Sequence, residues 1–115
     1  MLATTTGLAP EWYTLRAQQD DPSAPRYRLR PLDGLEQLEV MAEVVEEEGR
    51  WRITGRGMRL ALRYGLQGWE NVADPDGTTL EWRPDRIGRL RPEVLRELAD
   101  RIVLISMLDA AEKKT

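Results

Sequence analysis

Three short stretches hold the residue types that chemistry would need. Asp74-Pro-Asp-Gly77 sets two carboxylates and a glycine in the order of part of a calcium loop. With Gly77 on the loop glycine, Val72 falls at the first ligand position and Arg83 where the bidentate glutamate belongs. An apolar group and a cation cannot ligate, so the stretch reads as a tight turn, with proline at its first inner position and glycine at its end. Thr54-Gly-Arg-Gly57 places glycines at a helix start, where backbone N–H groups meet anions. It lacks the Gly-Lys-Ser/Thr ending and follows no buried strand; helix initiation accounts for it. The third stretch is the run Arg50, Arg52, Arg56, Arg59 and Arg63 around Trp51, in which guanidinium groups suit phosphates and an indole suits a base. An acidic stripe of similar length precedes it, and the charge balance favours pairing of the two stripes, within the fold or between subunits.

The side-chain inventory narrows the chemistry further. The 115 residues include no cysteine and no histidine, which removes disulfides, thiol nucleophiles, the usual zinc ligand sets and the commonest general base. The 20 carboxylates show no spacing that singles out an acid/base pair. No catalytic residue, cofactor or metal is assigned, and a non-enzymatic role is expected. A formal net charge of -3 argues against a surface built throughout for phosphate. Of 17 basic residues 15 are arginines, a bias that a GC-rich coding sequence explains without any functional cause. No stretch approaches the roughly 20 apolar residues of a membrane span. The start, MLATTTGLAPEW, lacks the basic and apolar regions of a secretory signal, so a cytoplasmic protein is expected. Trp12, Trp51, Trp69 and Trp82 lie in hairpin or loop segments; they either fill a core without phenylalanine or anchor an interface. The nominated partner contacts are Trp51, Arg56, Arg59, Arg63 and Trp69.

These residues need a scaffold, and hydropathy patterning supplies one. Residues 1–10 read as a mobile arm, 11–111 as a single domain and 112–115 as a frayed tail. Glu11–Arg16 and the alternating Arg26–Arg30 form a β-hairpin, with Tyr27 and Leu29 inward. Asp33 caps a helix, with Glu36 completing a capping box. Leu35, Leu38, Met41, Ala42 and Val45 give that helix an apolar side, and Glu36, Glu39, Glu43 and Glu46 an acidic flank, as far as Gly49. Glu46, Glu47 and Glu48 oppose the macrodipole, so the last turn should fray. Thr54 caps a second helix, Gly55 to Tyr64, with Met58, Ala61 and Leu62 on one side and Arg56, Arg59 and Arg63 on the other. Gly65 suits a left-handed C′ residue, and a loop presenting Trp69 follows. Thr78–Trp82 reads as a strand. Pro92 opens the longest helix, with Val94, Leu95, Leu98, Ile102, Ile105 and Leu108 inward and a Glu97–Arg101 pair outside. The expected class is α+β, about three helices on a small antiparallel sheet; the alternative is a mainly α domain with the hairpin as an arm.

From about Trp12 to Glu112 the order of these pieces resembles the small tail assembly chaperones of long-tailed bacteriophages. The segments that carry the likeness are YRLRPLDGLEQLEV, ITGRGMRLALRYGLQGWENV, the acidic turn before a short strand, and RPEVLRELADRIVLISMLDAAE. The most distinctive is Gly-Leu-x-Gly-Trp-x-Asn followed by Asp-x-Asp-Gly. The resemblance implies a protein made in the infected bacterium, or from a prophage, that binds the tape measure protein and recruits tail tube subunits. No site of that family transfers residue by residue. Two alternatives stand beside it: a structural virion protein such as a tail-completion or connector subunit, and a small DNA-binding regulator using residues 50–63.

Overall fold

The computed structural model of the chain describes residues 9–112, with side chains described as far as Met107. Most of the expected arm, residues 1–8, and nearly all of the tail, residues 113–115, lie outside the described residues, as does the side chain of Leu108.

The alternating hairpin forms as its pattern requires. Strand β1 (Glu11–Tyr13) pairs antiparallel with β2 (Arg26–Leu29), setting Tyr13 opposite Tyr27. Tyr27 and Leu29 are buried, while Arg26 and Arg28 face water. The third strand is not Thr78–Trp82. It is β5 (Leu66–Glu70), the segment expected as a loop, which pairs antiparallel with β2 to give the order β1-β2-β5. A register shift between Arg28 and Leu29 brings Leu66 opposite Leu29, so Leu66 is buried and Gln67 stays in water. Thr78–Trp82 contributes a single bridge, Thr79 to Ala73. The turn before it forms as read: the Gly77 N–H donates to the Asp74 carbonyl at 2.9 Å, and Gly77 has φ +87°.

Helix α1 (Gly34–Met41) starts on the expected capping box, the Asp33 side chain accepting from the Glu36 N–H and Glu36 accepting from the Asp33 N–H. It ends eight residues before Gly49. Two strands, β3 (Val44–Glu47) and β4 (Arg50–Ile53), follow as a second hairpin whose two-residue turn is Glu48 (φ 53°) and Gly49 (φ 77°). Positive φ at both turn residues matches the strand twist. Extending the helix would have set its acids against the dipole and its Val44-Val45 pair in a helix, which β-branched residues disfavour; the hairpin removes both conflicts.

Helix α2 (Gly55–Gly65) has the Thr54 cap, its hydroxyl accepting from the Gly57 N–H at 3.1 Å. Gly65 closes the helix without a left-handed residue; Leu66 leaves directly into β5 with φ -87°. A short 3-10 turn (Pro84–Arg89) leads to α3 (Pro92–Glu112), which buries Leu98, Ala99, Ile102 and Ile105. One core joins these pieces: Tyr27, Leu29, Leu66 and Trp69 from the sheet, Val40 from α1, Ala61 and Leu62 from α2, and the buried face of α3. This is the α+β class with an N-terminal hairpin. The Glu97–Arg101 pair does not form. Glu97 instead accepts from the Tyr13 hydroxyl at 2.6 Å and the Arg16 N–H at 2.9 Å, and Arg101 pairs with Glu11 at 2.8 Å, fastening α3 to the hairpin.

Candidate interaction surfaces

The amphipathic pattern of α1 is present, but its apolar side faces out. Val40 is the buried residue, whereas Leu35 is 76%, Leu38 64% and Met41 66% exposed. The α1 backbone is oriented by its other contacts. Glu36 forms a two-pronged ion pair with Arg30, at 2.7 and 2.6 Å, and the Tyr64 hydroxyl of α2 donates to Glu39. The guanidinium and the Asp33 N–H hold the Glu36 carboxyl below its ordinary pKa. Those anchors hold the Glu36 side of α1 toward Arg30 and α2, with Glu39 still exposed, and leave Leu35, Leu38 and Met41 in water. Periodicity identifies an apolar side without saying what covers it.

Next along the chain, the β3–β4 hairpin carries Trp51, 75% exposed, on the strand face it shares with Val44 and Ile53. Ile53 reaches the core, and the hairpin base presses on α2: a Cβ on Gly57 would lie 2.6 Å from Ile53 Cγ1 and 2.9 Å from Glu43 Cβ. The Thr54 N–H donates to the Glu43 carbonyl at 2.9 Å and ties the hairpin at its neck.

The five nominated contacts separate. Trp69 is no surface residue; it is 7% exposed, donates from Nε1 to the Leu80 carbonyl at 2.7 Å, and meets Trp82 edge-on with centroids 4.9 Å apart. The strand β5 that replaces the expected loop carries its indole into the core. Arg56 pairs with Glu43 at 3.3 Å, at the base of the β3–β4 hairpin. Arg52 pairs with Glu47 at 2.8 Å. The two charged stripes therefore meet only in part. Arg59 and Arg63 are exposed, on the side of α2 away from Tyr64, and have no ion-pair partner among the described residues.

Arg59 and Arg63 stand over a groove of about 910 Å³ between α2, the 3-10 turn and the start of α3. Its apolar lining is Met58, Leu62, Leu66, Trp82, Ile87 and Leu95, and Arg96 lies on the far rim. Among the described residues the one rim acid, Asp85, is engaged by Arg83 at 3.4 Å. Sequence reading missed this groove because its walls come from three separated segments, each with too few apolar residues to draw notice. Among the described residues no group of three or more His, Cys, Asp or Glu side chains is placed to hold a metal ion, and no helix is long and apolar enough to cross a membrane. Compared with protein-family models, curated proteins and solved structures, the chain matches none.

Proposed function

We propose that the protein is a tail assembly chaperone of a long-tailed phage, binding the tape measure protein and helping to recruit tail tube subunits in the cytoplasm of the bacterial host. The observation that carries this reading is the outward apolar side of α1, Leu35, Leu38 and Met41, with Trp51 exposed on the neighbouring hairpin. Several large apolar side chains clustered on one part of a small domain mark a surface that is covered some of the time. A long, largely helical partner that is unassembled and partly apolar is the kind of ligand such a face shields, in the manner of helix-on-helix packing. The segments likened to the chaperone family supply the partner's identity in this reading. The protein acts by binding and release, and no catalytic step is required.

Co-expression with the long helical protein encoded nearby tests the proposal. The partner should become soluble and co-elute with the protein on size exclusion, and Leu38→Lys with Met41→Lys should abolish co-elution while the variant itself stays folded. A partner left insoluble beside well-folded wild-type protein sinks the proposal. Mass spectrometry of purified particles separates it from a connector or tail-completion subunit, which remains in the virion; a chaperone is absent.

A further inference from the structure

We infer that the groove between α2 and α3 is a second docking site, built for an acidic amphipathic helix of a partner protein. It lies on a different side of α2 from α1, because Tyr64 reaches Glu39 of α1 and Gly57 packs on Ile53 and Glu43 at the base of the β3–β4 hairpin, while Met58, Arg59, Leu62 and Arg63 face the groove. The two surfaces are therefore separate, and this site stands whether or not the α1 face binds a tape measure protein.

The lining decides the occupant's chemistry. Met58, Trp82, Ile87 and Leu95 are only half-buried, so the groove offers apolar surface to a row of side chains at helical spacing. Arg59 and Arg63 are one turn apart on one bank, with Arg96 across from them, and among the described residues the only acid on the rim, Asp85, is paired to Arg83. Like charges at i, i+4 oppose each other in an isolated helix, and here no acid among the described residues relieves Arg59 and Arg63. A helix bearing leucine-type residues on one side and glutamates along both edges of that side satisfies the floor and the banks together. A basic helix would meet three guanidinium groups.

The probe is a synthetic helix of about five turns, with leucines on one side and glutamates flanking them, carrying a fluorophore for anisotropy. Two controls keep the leucines: one replaces every glutamate with lysine, the other scrambles the order. The glutamate peptide should bind, weaken several-fold as salt rises, and exceed both controls. Arg59→Glu with Arg63→Glu should weaken it by about tenfold or more, and Ile87→Asp should weaken it independently. Circular dichroism confirms that each variant is folded; Arg59 and Arg63 are exposed, so the double variant carries the test even where Asp at half-buried Ile87 costs stability. Equal binding of the lysine peptide, or unchanged binding by a folded double variant, overturns the inference. So does a groove occupied by a second copy of the chain, seen as concentration-dependent association that the double variant abolishes and the peptide does not displace.

Discussion

Gly65 is a small residue for a reason that a hydropathy plot does not contain. A Cβ there would lie 2.5 Å from Ile102 Cγ2 and within 2.9 Å of two more atoms of that side chain, which is fully buried on α3. Gly65→Ala should therefore destabilise the fold by about 1–3 kcal/mol in urea denaturation, since the isoleucine has no free space to retreat into. Ile102→Ala removes all three contacting atoms, so the Gly65→Ala penalty should shrink in an Ile102→Ala background; strictly additive effects of the two changes would show that the contact is not the cause. The tryptophans divide in the same way. Trp69→Phe removes the donor to the Leu80 carbonyl in a buried site, and a cost of about 1–3 kcal/mol is expected. Trp51→Ser, at a side chain 75% exposed, should move stability by no more than about 0.5 kcal/mol. If Trp51 proved as costly as Trp69, the hairpin would not stand in water as described.

Elements were legible in the sequence where the pattern and its competitor differed locally. The α3 periodicity, the Asp33 and Thr54 caps, the Asp74–Gly77 turn and the inward Tyr27 and Leu29 each rest on neighbours within a few residues, and each forms as read. What sequence did not yield depends on distant partners. Residues 44–48 satisfy the end of a helical pattern as well as a strand leading into a two-residue turn, and pairing with Arg50–Ile53, whose Ile53 packs against the core, decides between them. Strand β5 holds two of its five positions with glutamine and glycine, so only its pairing with β2 marks it. Of the candidate contacts, Arg59 and Arg63 share the groove rim, Trp51 is exposed elsewhere, and Trp69 is inside. The second hairpin supplies its own test. Gly49 sits at φ 77°, where an L residue costs about 1–2 kcal/mol, so Gly49→Ala should raise amide exchange selectively from Val44 to Ile53. Uniform acceleration across α3 would mean that the hairpin is not a separable unit.

At the scale of the whole molecule, the N-terminal sheet and its continuation are fastened to α3 by polar contacts laid over the core. The Leu32 N–H donates to the Ser106 hydroxyl at 2.8 Å, Arg101 engages Glu11, and Tyr13 and Glu97 share a 2.6 Å hydrogen bond. Two of the molecule's titrating contacts make stability depend on pH, at opposite ends of the scale. Glu36 is depressed chiefly by its hydrogen bond from Arg30, so its contribution is present above the ordinary glutamate pKa and is lost as pH falls through the lower, folded value. Arg30→Met should flatten the acid side of a stability profile and leave neutral-to-alkaline slopes alone. Tyr13 has the opposite sign. Its phenol is pushed up to about 12 from 10.0, first by burial and then by the hydrogen bond and charge of Glu97. The folded state thus holds this proton more tightly than the unfolded chain. Its contribution is complete below pH 10 and is lost as pH rises toward 12, where the phenolate and the Glu97 carboxylate would face each other as two anions. Tyr13→Phe should lower stability at neutral pH and reduce the alkaline slope, to which Tyr27 and Tyr64, also raised, still contribute, read by urea denaturation across that range. Burial also raises Tyr27 and the hydrogen bond to Glu39 raises Tyr64, so an ultraviolet titration should show late-ionising tyrosines in the wild type and one fewer of them in the variant. A wild-type profile that is flat from pH 10 to 12, with Tyr13 ionising at its ordinary value, would mean that the contact between β1 and α3 is not made in solution.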